Sequence, residues 1–165
     1  MSEHYLAKEY SISKGVGVSN IGLPSFDKAL INANVGNYNL VRLSSILPSE
    51  CFGNKVAPEE IKNHIKEGSL LPTAYSTITS DTAGDHIVSS IGVGIPKDKN
   101  NVGIIMEYSD KNVEDKIVIE RLKMMIKEAF EIRGWELESI EYTHVSADVV
   151  KEGKKTTTFA CIAEW

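Results

Sequence analysis

Hydrophobic and polar residues alternate along several short stretches of this chain, as they do in β-strands whose two faces meet different surroundings. The alternation predicts strands over residues 11–18, 38–45, 73–79, 86–95 and 102–108. The last of these is almost wholly apolar, which indicates burial on both faces. Residues 136–150 and 155–164 predict a terminal hairpin around a turn at residues 152–154.

Apolar residues at helical spacing predict helices over residues 24–33, 58–66 and 112–133. Ser25 is the expected N-cap of the first helix, and Asp27 would lie in its first turn. Asn112 would cap the long helix and Gly134 would end it. The inner face of the long helix is expected to contain Val113, Ile117, Leu122, Met125, Ile126, Ala129 and Phe130.

The order of these elements determines the expected fold class. Strands and helices do not repeat as βαβ units, so we expect an α/β fold of the α+β type, with helices packed on mixed or antiparallel sheets, and not a Rossmann fold. The sequence contains neither a GxGxxG motif nor a P-loop. A length of 165 residues suits one domain with a sizeable core, so residues 1–165 are expected to form a single domain.

Composition and charge narrow the classes of partner. Hydrophobic residues make up 42% of the chain and charged residues 25%, and the formal net charge of −5 disfavours nucleic acid and favours cationic ligands. No apolar run has transmembrane length and the first residues lack signal-peptide features, so we expect a cytoplasmic protein without membrane contact. Cys51 and Cys161 are expected to be reduced thiols, and the four histidines show no metal-ligand spacing, so no metal site is predicted.

Two adjacent serines stand where the predicted central strand ends. Pro48 cannot donate to a strand ladder, so the strand should stop near Ser44 and Ser45 and leave both hydroxyls at the start of a loop. Most adjacent serine pairs are ordinary loop residues, so a functional role for this pair can be argued only from the sequence around it.

Five segments of the chain, in order, resemble one known family. They are residues 39–48 (NLVRLSSILP), 71–75 (LPTAY), 95–99 (IPKDK), 103–108 (GIIMEY) and 133–137 (RGWEL). The first resembles the self-cleavage segment of the pyruvoyl-dependent arginine decarboxylases, and the likeness covers most of the chain. The resemblance implies a four-layer αββα sandwich that assembles as a homo-oligomer, a trimer or a dimer of trimers, with active sites at subunit interfaces.

The resemblance also implies a cleavage that creates a cofactor. Ser45 would attack the carbonyl carbon of Ser44, and the chain would separate into residues 1–44 and residues 45–165, with a covalent pyruvoyl group in place of Ser45. A pyruvoyl ketone condenses with the substrate α-amine and accepts electrons as carbon dioxide leaves. The implied reaction converts L-arginine to agmatine. Two alternatives remain: the same chemistry on histidine or another basic amino acid, and an unprocessed oligomer that binds a small cation and catalyses nothing.

The resemblance also implies roles for individual residues, and each of these residues has a simpler alternative interpretation. Asn39 matches an asparagine that stabilises the oxyanion of the cleavage step, although an asparagine at a strand edge also makes turn contacts. Glu107 matches the acid that reprotonates the product, where burial would favour its protonated form, but a surface glutamate would pair with a lysine. Asp27 matches the acid that holds the substrate guanidinium, and it would otherwise serve the helix terminus. Ser44 is expected to line the pocket. Arg42 could pair with an acid or with the new C-terminal carboxylate of Ser44, although a structural role is expected.

Overall fold

The strands and helices follow the predicted order. The computed structural model describes residues 4–165. Its elements in chain order are β1 (Tyr10–Ser19), α1 (Gly22–Asn32), β2 (Asn39–Arg42), β3 (Ile46–Leu47), α2 (Ile61–His64), β4 (Leu70–Ser80), β5 (His86–Pro96), β6 (Gly103–Lys111), α3 (Asp115–Arg133), β7 (Leu137–Asp148) and β8 (Lys155–Glu164). The strands predicted over residues 11–18, 73–79, 86–95 and 102–108 correspond to β1, β4, β5 and β6.

Within residues 4–165, the strands form two four-stranded sheets. The first sheet has the order β1-β8-β4-β2, and the second has the order β3-β6-β5-β7. Neighbouring strands are antiparallel except β2 and β4, which run parallel. β8 in the first sheet and β5 in the second are buried along nearly their whole length, because each has neighbours on both sides and a packed layer on both faces.

Glycines allow both large helices to approach their sheets closely. A Cβ atom on Gly17 of β1 would stand 1.9 Å from the carbonyl oxygen of Ser25 on α1, so only glycine permits this contact. A Cβ atom on Gly94 of β5 would stand 2.5 Å from the ring of Phe130 on α3. The backbones of β1 and α1 therefore lie in direct contact.

The layers are thus α1, the first sheet, the second sheet and α3. The two sheets enclose an apolar core that includes Leu47, Ala74, Ile91, Val93, Ile105 and Ile162. Separate apolar clusters lie between each sheet and its helix. This arrangement confirms the predicted four-layer αββα sandwich of the α+β type.

α1 begins earlier than the sequence predicted. The helix starts at Gly22 behind Ile21, which provides no side-chain cap, so the prediction of Ser25 as the N-cap is wrong. The hydroxyl of Ser25 is buried instead and lies 2.9 Å from Oγ1 of Thr157 on β8. Asp27 is consequently not in the first turn, and its side chain is exposed to solvent. The close approach of α1 to the glycines of β1 turns Ser25 toward the sheet, where a hydroxyl partner is available.

α3 begins later than predicted, at Asp115, so Asn112 is not its N-cap. Asn112 adopts a left-handed conformation with φ of 59°, and its side-chain amide bonds to the residues at the start of β5. Val118 belongs to the buried face of the helix in place of Ile117, which is 38% exposed. Gly134 ends the helix in a left-handed conformation, as predicted. The predicted inner residues Leu122, Ile126, Ala129 and Phe130 are buried.

The predicted terminal hairpin is wrong. β7 pairs with β5 in the second sheet, whereas β8 lies between β1 and β4 in the first, so the turn between β7 and β8 connects the two sheets. Hydrophobic and polar residues alternate in the same way in a strand of either sheet. The sequence pattern therefore could not show that β7 and β8 belong to different sheets. The helix predicted over residues 58–66 is also shorter, since a 3₁₀ turn over Pro58–Glu60 leads into the single turn of α2.

Candidate functional site

The chain on the two sides of the serine pair forms two strands in different sheets. β2 forms an edge of the first sheet beside β4, and β3 forms an edge of the second sheet beside β6. Residues 43–45 carry the chain from one sheet to the other, so the strand predicted over residues 38–45 ends earlier, at Arg42. The serine pair does follow the end of a strand. The chain turns there because Leu43 packs into the core between the sheets.

Backbone hydrogen bonds hold this crossing at both ends. The N–H of Leu43 donates to the carbonyl of Thr73 on β4 at 3.0 Å, and the carbonyl of Ser45 accepts from the N–H of Ile105 on β6 at 2.7 Å. Ser44 is exposed and Ser45 is partly buried. The peptide bond between the two serines therefore lies between two fixed points, one in each sheet.

An ion pair joins the two sheets beside the crossing. Nη2 of Arg42, at the end of β2, lies 2.6 Å from Oε1 of Glu107 on β6. The guanidinium also lies over the ring of Tyr75, 4.5 Å from its centroid, and donates to the backbone carbonyl of Tyr75 at 3.3 Å. The hydrogen bond to Glu107 is the largest of the influences that hold the pKa of Arg42 above its ordinary value.

The surroundings of Glu107 differ from those expected. Glu107 follows Ile105 by two residues on β6, so both side chains share the face that points between the sheets. β6 is fully buried only from Gly103 to Ile105, and the Glu107 side chain retains 33% exposure. The sequence suggested either a dry interior or a lysine partner for Glu107. The structure shows neither, because Glu107 is partly exposed and pairs with Arg42. In this ion pair Glu107 is a carboxylate, which accepts hydrogen bonds and has no proton to give.

A cavity of about 210 Å³ opens at this edge of the sandwich. It is lined by Arg42, Ser76, Thr77, Glu107, Tyr108 and Ser109. Ser76 is only 4% exposed, and its hydroxyl has no hydrogen-bond partner among the described residues. A buried polar atom without a partner is uncommon, which marks Ser76 as a candidate binding residue. Ser76 is not among the predicted site residues, although it shares a strand face with Ala74 and Ile78.

Asn39 and Asp27 lie outside this cavity in their own chain. Asn39 begins β2, about 10 Å along the strand from Arg42, and its Nδ2 donates to the carbonyl of Gly68 at 2.8 Å. Asp27 is exposed on α1, which packs mainly on β1 and β8. Ser44 and Ser45 do not line the cavity either, but they follow Arg42, the ion-pair partner of Glu107, and Ser45 is hydrogen-bonded to Ile105, two residues before Glu107.

Other reactive groups give no second site. Among residues 4–165, no three His, Cys, Asp or Glu side chains are grouped so that they could hold a metal ion. Cys51 and Cys161 are free and buried, and burial raises the pKa of each thiol to about 12, so neither is a reactive thiolate. In the same part of the chain, no helix is long and apolar enough to cross a membrane.

Comparison with known proteins places the chain in a family. A family model described as pyruvoyl-dependent arginine decarboxylase matches residues 9–163. The chain belongs to this family. It is 41% identical over 160 residues to the pyruvoyl-dependent arginine decarboxylase of Methanocaldococcus jannaschii, covering 97% of this chain and 91% of the relative. It is 36% identical over 140 residues to the protein of the same name from Pyrococcus furiosus, covering 85% and 84%.

Among solved structures, the chain is similar to a pyruvoyl-dependent histidine decarboxylase. The match covers 62% of this chain and 52% of that one, with 17% identity and a TM-score of 0.44.

The residues at the crossing fit a pyruvoyl group formed from Ser45. Membership of a pyruvoyl-dependent family implies such a covalently bound group. The hydrogen bond from Ile105 is made to the carbonyl of residue 45, an atom that the formation of the group leaves unchanged. Glu107 and the unpartnered hydroxyl of Ser76 lie in the adjoining cavity and offer polar contacts there.

Proposed function

We propose that this chain cleaves itself between Ser44 and Ser45 and then converts L-arginine to agmatine and carbon dioxide. One observation carries the proposal. The Ser44–Ser45 peptide is held between two sheets beside Arg42 and Glu107, in a chain that belongs to a family of pyruvoyl-dependent arginine decarboxylases.

Cleavage would begin when Oγ of Ser45 attacks the carbonyl carbon of Ser44. An ester forms, the peptide C–N bond breaks, and the amine of residue 45 takes the hydroxyl proton. Removal of the α-proton of residue 45 then breaks its Cβ–Oγ bond, and Ser44 leaves as a carboxylate. The dehydroalanine that remains takes up water and loses ammonia, which yields the pyruvoyl ketone.

The fold supports retention of both products. Residues 1–44 would supply β1, α1 and β2, and residues 45–165 would supply the remaining elements. β1 pairs with β8 along its whole length and β2 pairs with β4, so both strands stay within the first sheet after cleavage. Separation would expose the buried residues of α1 and its surroundings, Ala29, Ala33 and Val35, to water.

In the decarboxylation, the pyruvoyl ketone supplies the electron sink. Glu107 would return a proton to the α-carbon from which carbon dioxide has left. Asp27 would bind the guanidinium of arginine, since a carboxylate and a guanidinium form two parallel hydrogen bonds. Asn39 would donate its amide to the oxyanion of the cleavage step, and Ser44 would line the pocket beside residue 45.

The positions of Asp27 and Asn39 support a site completed by a second copy of the chain. Both lie outside the cavity of their own chain, so we assign them to the cavity of a neighbour. Exposed apolar side chains on the same two elements, Ile31 on α1 at 53% and Val41 on β2 at 44%, favour an interface there. A trimer, or a dimer of trimers, would repeat this contact around a closed ring.

Product analysis tests the proposal against both alternatives. Wild-type protein is incubated with arginine or histidine beside Ser45→Ala, with Ser49→Ala as a matched serine control outside the crossing. We expect agmatine and carbon dioxide from wild type and Ser49→Ala, and neither from Ser45→Ala. Histamine in place of agmatine would support histidine as substrate. Neither product from a wild-type chain that remains uncut would support the non-catalytic cation-binding protein.

A further inference from the structure

Glu107 has two tasks that conflict in the uncut chain. As the proton donor of the proposed function it must carry a proton, but it is a carboxylate in an ion pair with Arg42 at 2.6 Å. The ring and the carbonyl of Tyr75 hold Arg42 in this position as well. The pairing of Arg42 with Glu107 must therefore end before Glu107 can donate.

The proposed self-cleavage itself produces a competing anion. The elimination step releases Ser44 as a carboxylate, with one oxygen from its old carbonyl and the other from Oγ of Ser45. Ser44 follows Arg42 by two residues, so their Cα atoms lie within about 7 Å of each other, which is within reach of an arginine side chain. The uncut chain carries no charge at this position, because Ser44 is then part of a peptide bond.

We propose that Arg42 changes partner when the chain is cut, from Glu107 to the new carboxylate of Ser44. This inference rests on the proposed function. Arg42 is then a positioning residue with two effects: it stabilises the carboxylate that leaves during elimination, and its departure frees Glu107 to carry a proton. The guanidinium suits this exchange because its planar donors can bind a carboxylate through two hydrogen bonds.

The first experiment traps the ester that precedes elimination. Hydroxylamine cleaves such an ester to leave Ser44 as a hydroxamate and residue 45 as an ordinary serine, and intact mass distinguishes these products from those of normal cleavage. Without the charge of Arg42, the carboxylate leaves more slowly. We expect Arg42→Gln to cleave itself about 10- to 100-fold more slowly than wild type. Because the ester then accumulates, hydroxylamine should cut the chain of this variant. Arg42→Lys retains the charge and should recover much of the rate.

Arg121 provides a matched control on the other face of the second sheet. Nη1 of Arg121 lies 2.9 Å from Oδ2 of Asp110, and its guanidinium carbon lies 5.6 Å from the centroid of the Tyr108 ring. The side chain of Arg121 is 49% exposed, and that of Arg42 is 56% exposed. Arg121→Gln removes the same charge and should leave the rate of self-cleavage unchanged. Equal slowing in both variants, or an Arg42→Gln chain that cleaves at the normal rate without trapped ester, would overturn the proposal.

Crystal structures of the uncut and cut forms provide the second experiment. We expect Arg42 on Glu107 in Ser45→Ala, and within about 3 Å of the terminal carboxylate of Ser44 in the cut protein. If Arg42 remains on Glu107 in cut, active protein, the exchange is wrong and the proposed function stands. If wild-type protein never cleaves, the anion never forms, and the proposed function and the exchange both fail.

Discussion

His86 is predicted to stabilise the fold only while its ring is charged. Its Nδ1 lies 2.6 Å from Oδ1 of Asp148 at the end of β7, and its Nε2 lies 2.7 Å from Oδ1 of Asp115 at the start of α3. Both ring nitrogens can donate only in the imidazolium form. The hydrogen bond to Asp115, followed by that to Asp148, raises the pKa of His86 above its ordinary value. His86 thereby ties β5 to β7 and α3.

The sign and size of the effect follow from this geometry. Because the folded-state pKa of His86 is raised above the ordinary value of 6.5, its contribution is complete below pH 6.5 and disappears as the pH rises through the folded-state pKa. The side chain is 33% exposed, so solvent screens both contacts. Each contact then contributes about 0.5–1 kcal/mol, and the pair about 1–2 kcal/mol. In a chain of this length, that corresponds to roughly 2–8 °C in Tm.

Thermal unfolding of His86→Gln at about pH 6 and about pH 9 tests this prediction. The background is Ser45→Ala, so that one covalent chain unfolds. We expect the Tm of His86→Gln to be roughly 2–8 °C below that of its parent at the acidic pH. At the alkaline pH the difference should be much smaller. His64→Gln is the control, because Nδ1 of His64 contacts a carboxylate at one side only, that of Glu9 at 3.0 Å, and its loss should lower the Tm by less than the loss of His86. A deficit for His86→Gln that is equal at both pH values would refute the charged ring.

Three further variants test separate parts of the account. Gly17→Ala places a Cβ atom 1.9 Å from the carbonyl of Ser25, so we expect a loss of about 2–4 kcal/mol in chemical denaturation. Ser76→Ala removes a buried hydroxyl without a partner, so the free energy of unfolding should change by less than about 1 kcal/mol while kcat/KM for arginine falls. Asp27→Asn should raise KM for arginine about 10- to 100-fold in agmatine-release assays and leave the rate of self-cleavage unchanged.

The fold class and most strands could be predicted because alternation and helical spacing are local properties of the sequence. The membership of strands in sheets is not local. Alternation over residues 38–45 does not show that β2 ends at Arg42, and β7 and β8 look like a hairpin although they belong to different sheets. The starts of α1 and α3 were misplaced for a related reason. Ser25 and Asn112 are good caps in isolation, but each has a partner on a strand elsewhere in the chain.

The serine pair and Glu107 could be proposed as site residues by resemblance, and they lie at one edge of the sandwich. The partner of Glu107 could not be predicted. Arg42 stands 65 positions away in the sequence, and the contact depends on the chain passing between the sheets at residues 43–45. The unpartnered hydroxyl of Ser76 is equally a property of packing. These contacts form the cavity, and they cannot be predicted from local sequence patterns.

Intact mass of the purified wild-type protein under denaturing conditions is the most direct test of the central claim, self-cleavage between Ser44 and Ser45. The account predicts two fragments, residues 1–44 and residues 45–165, the larger beginning with a ketone in place of an amine. Together they should differ from the uncut chain by the gain of one water and the loss of one ammonia. A single chain that stays uncut after prolonged incubation, or two fragments that differ from it only by the gain of water, would contradict the account.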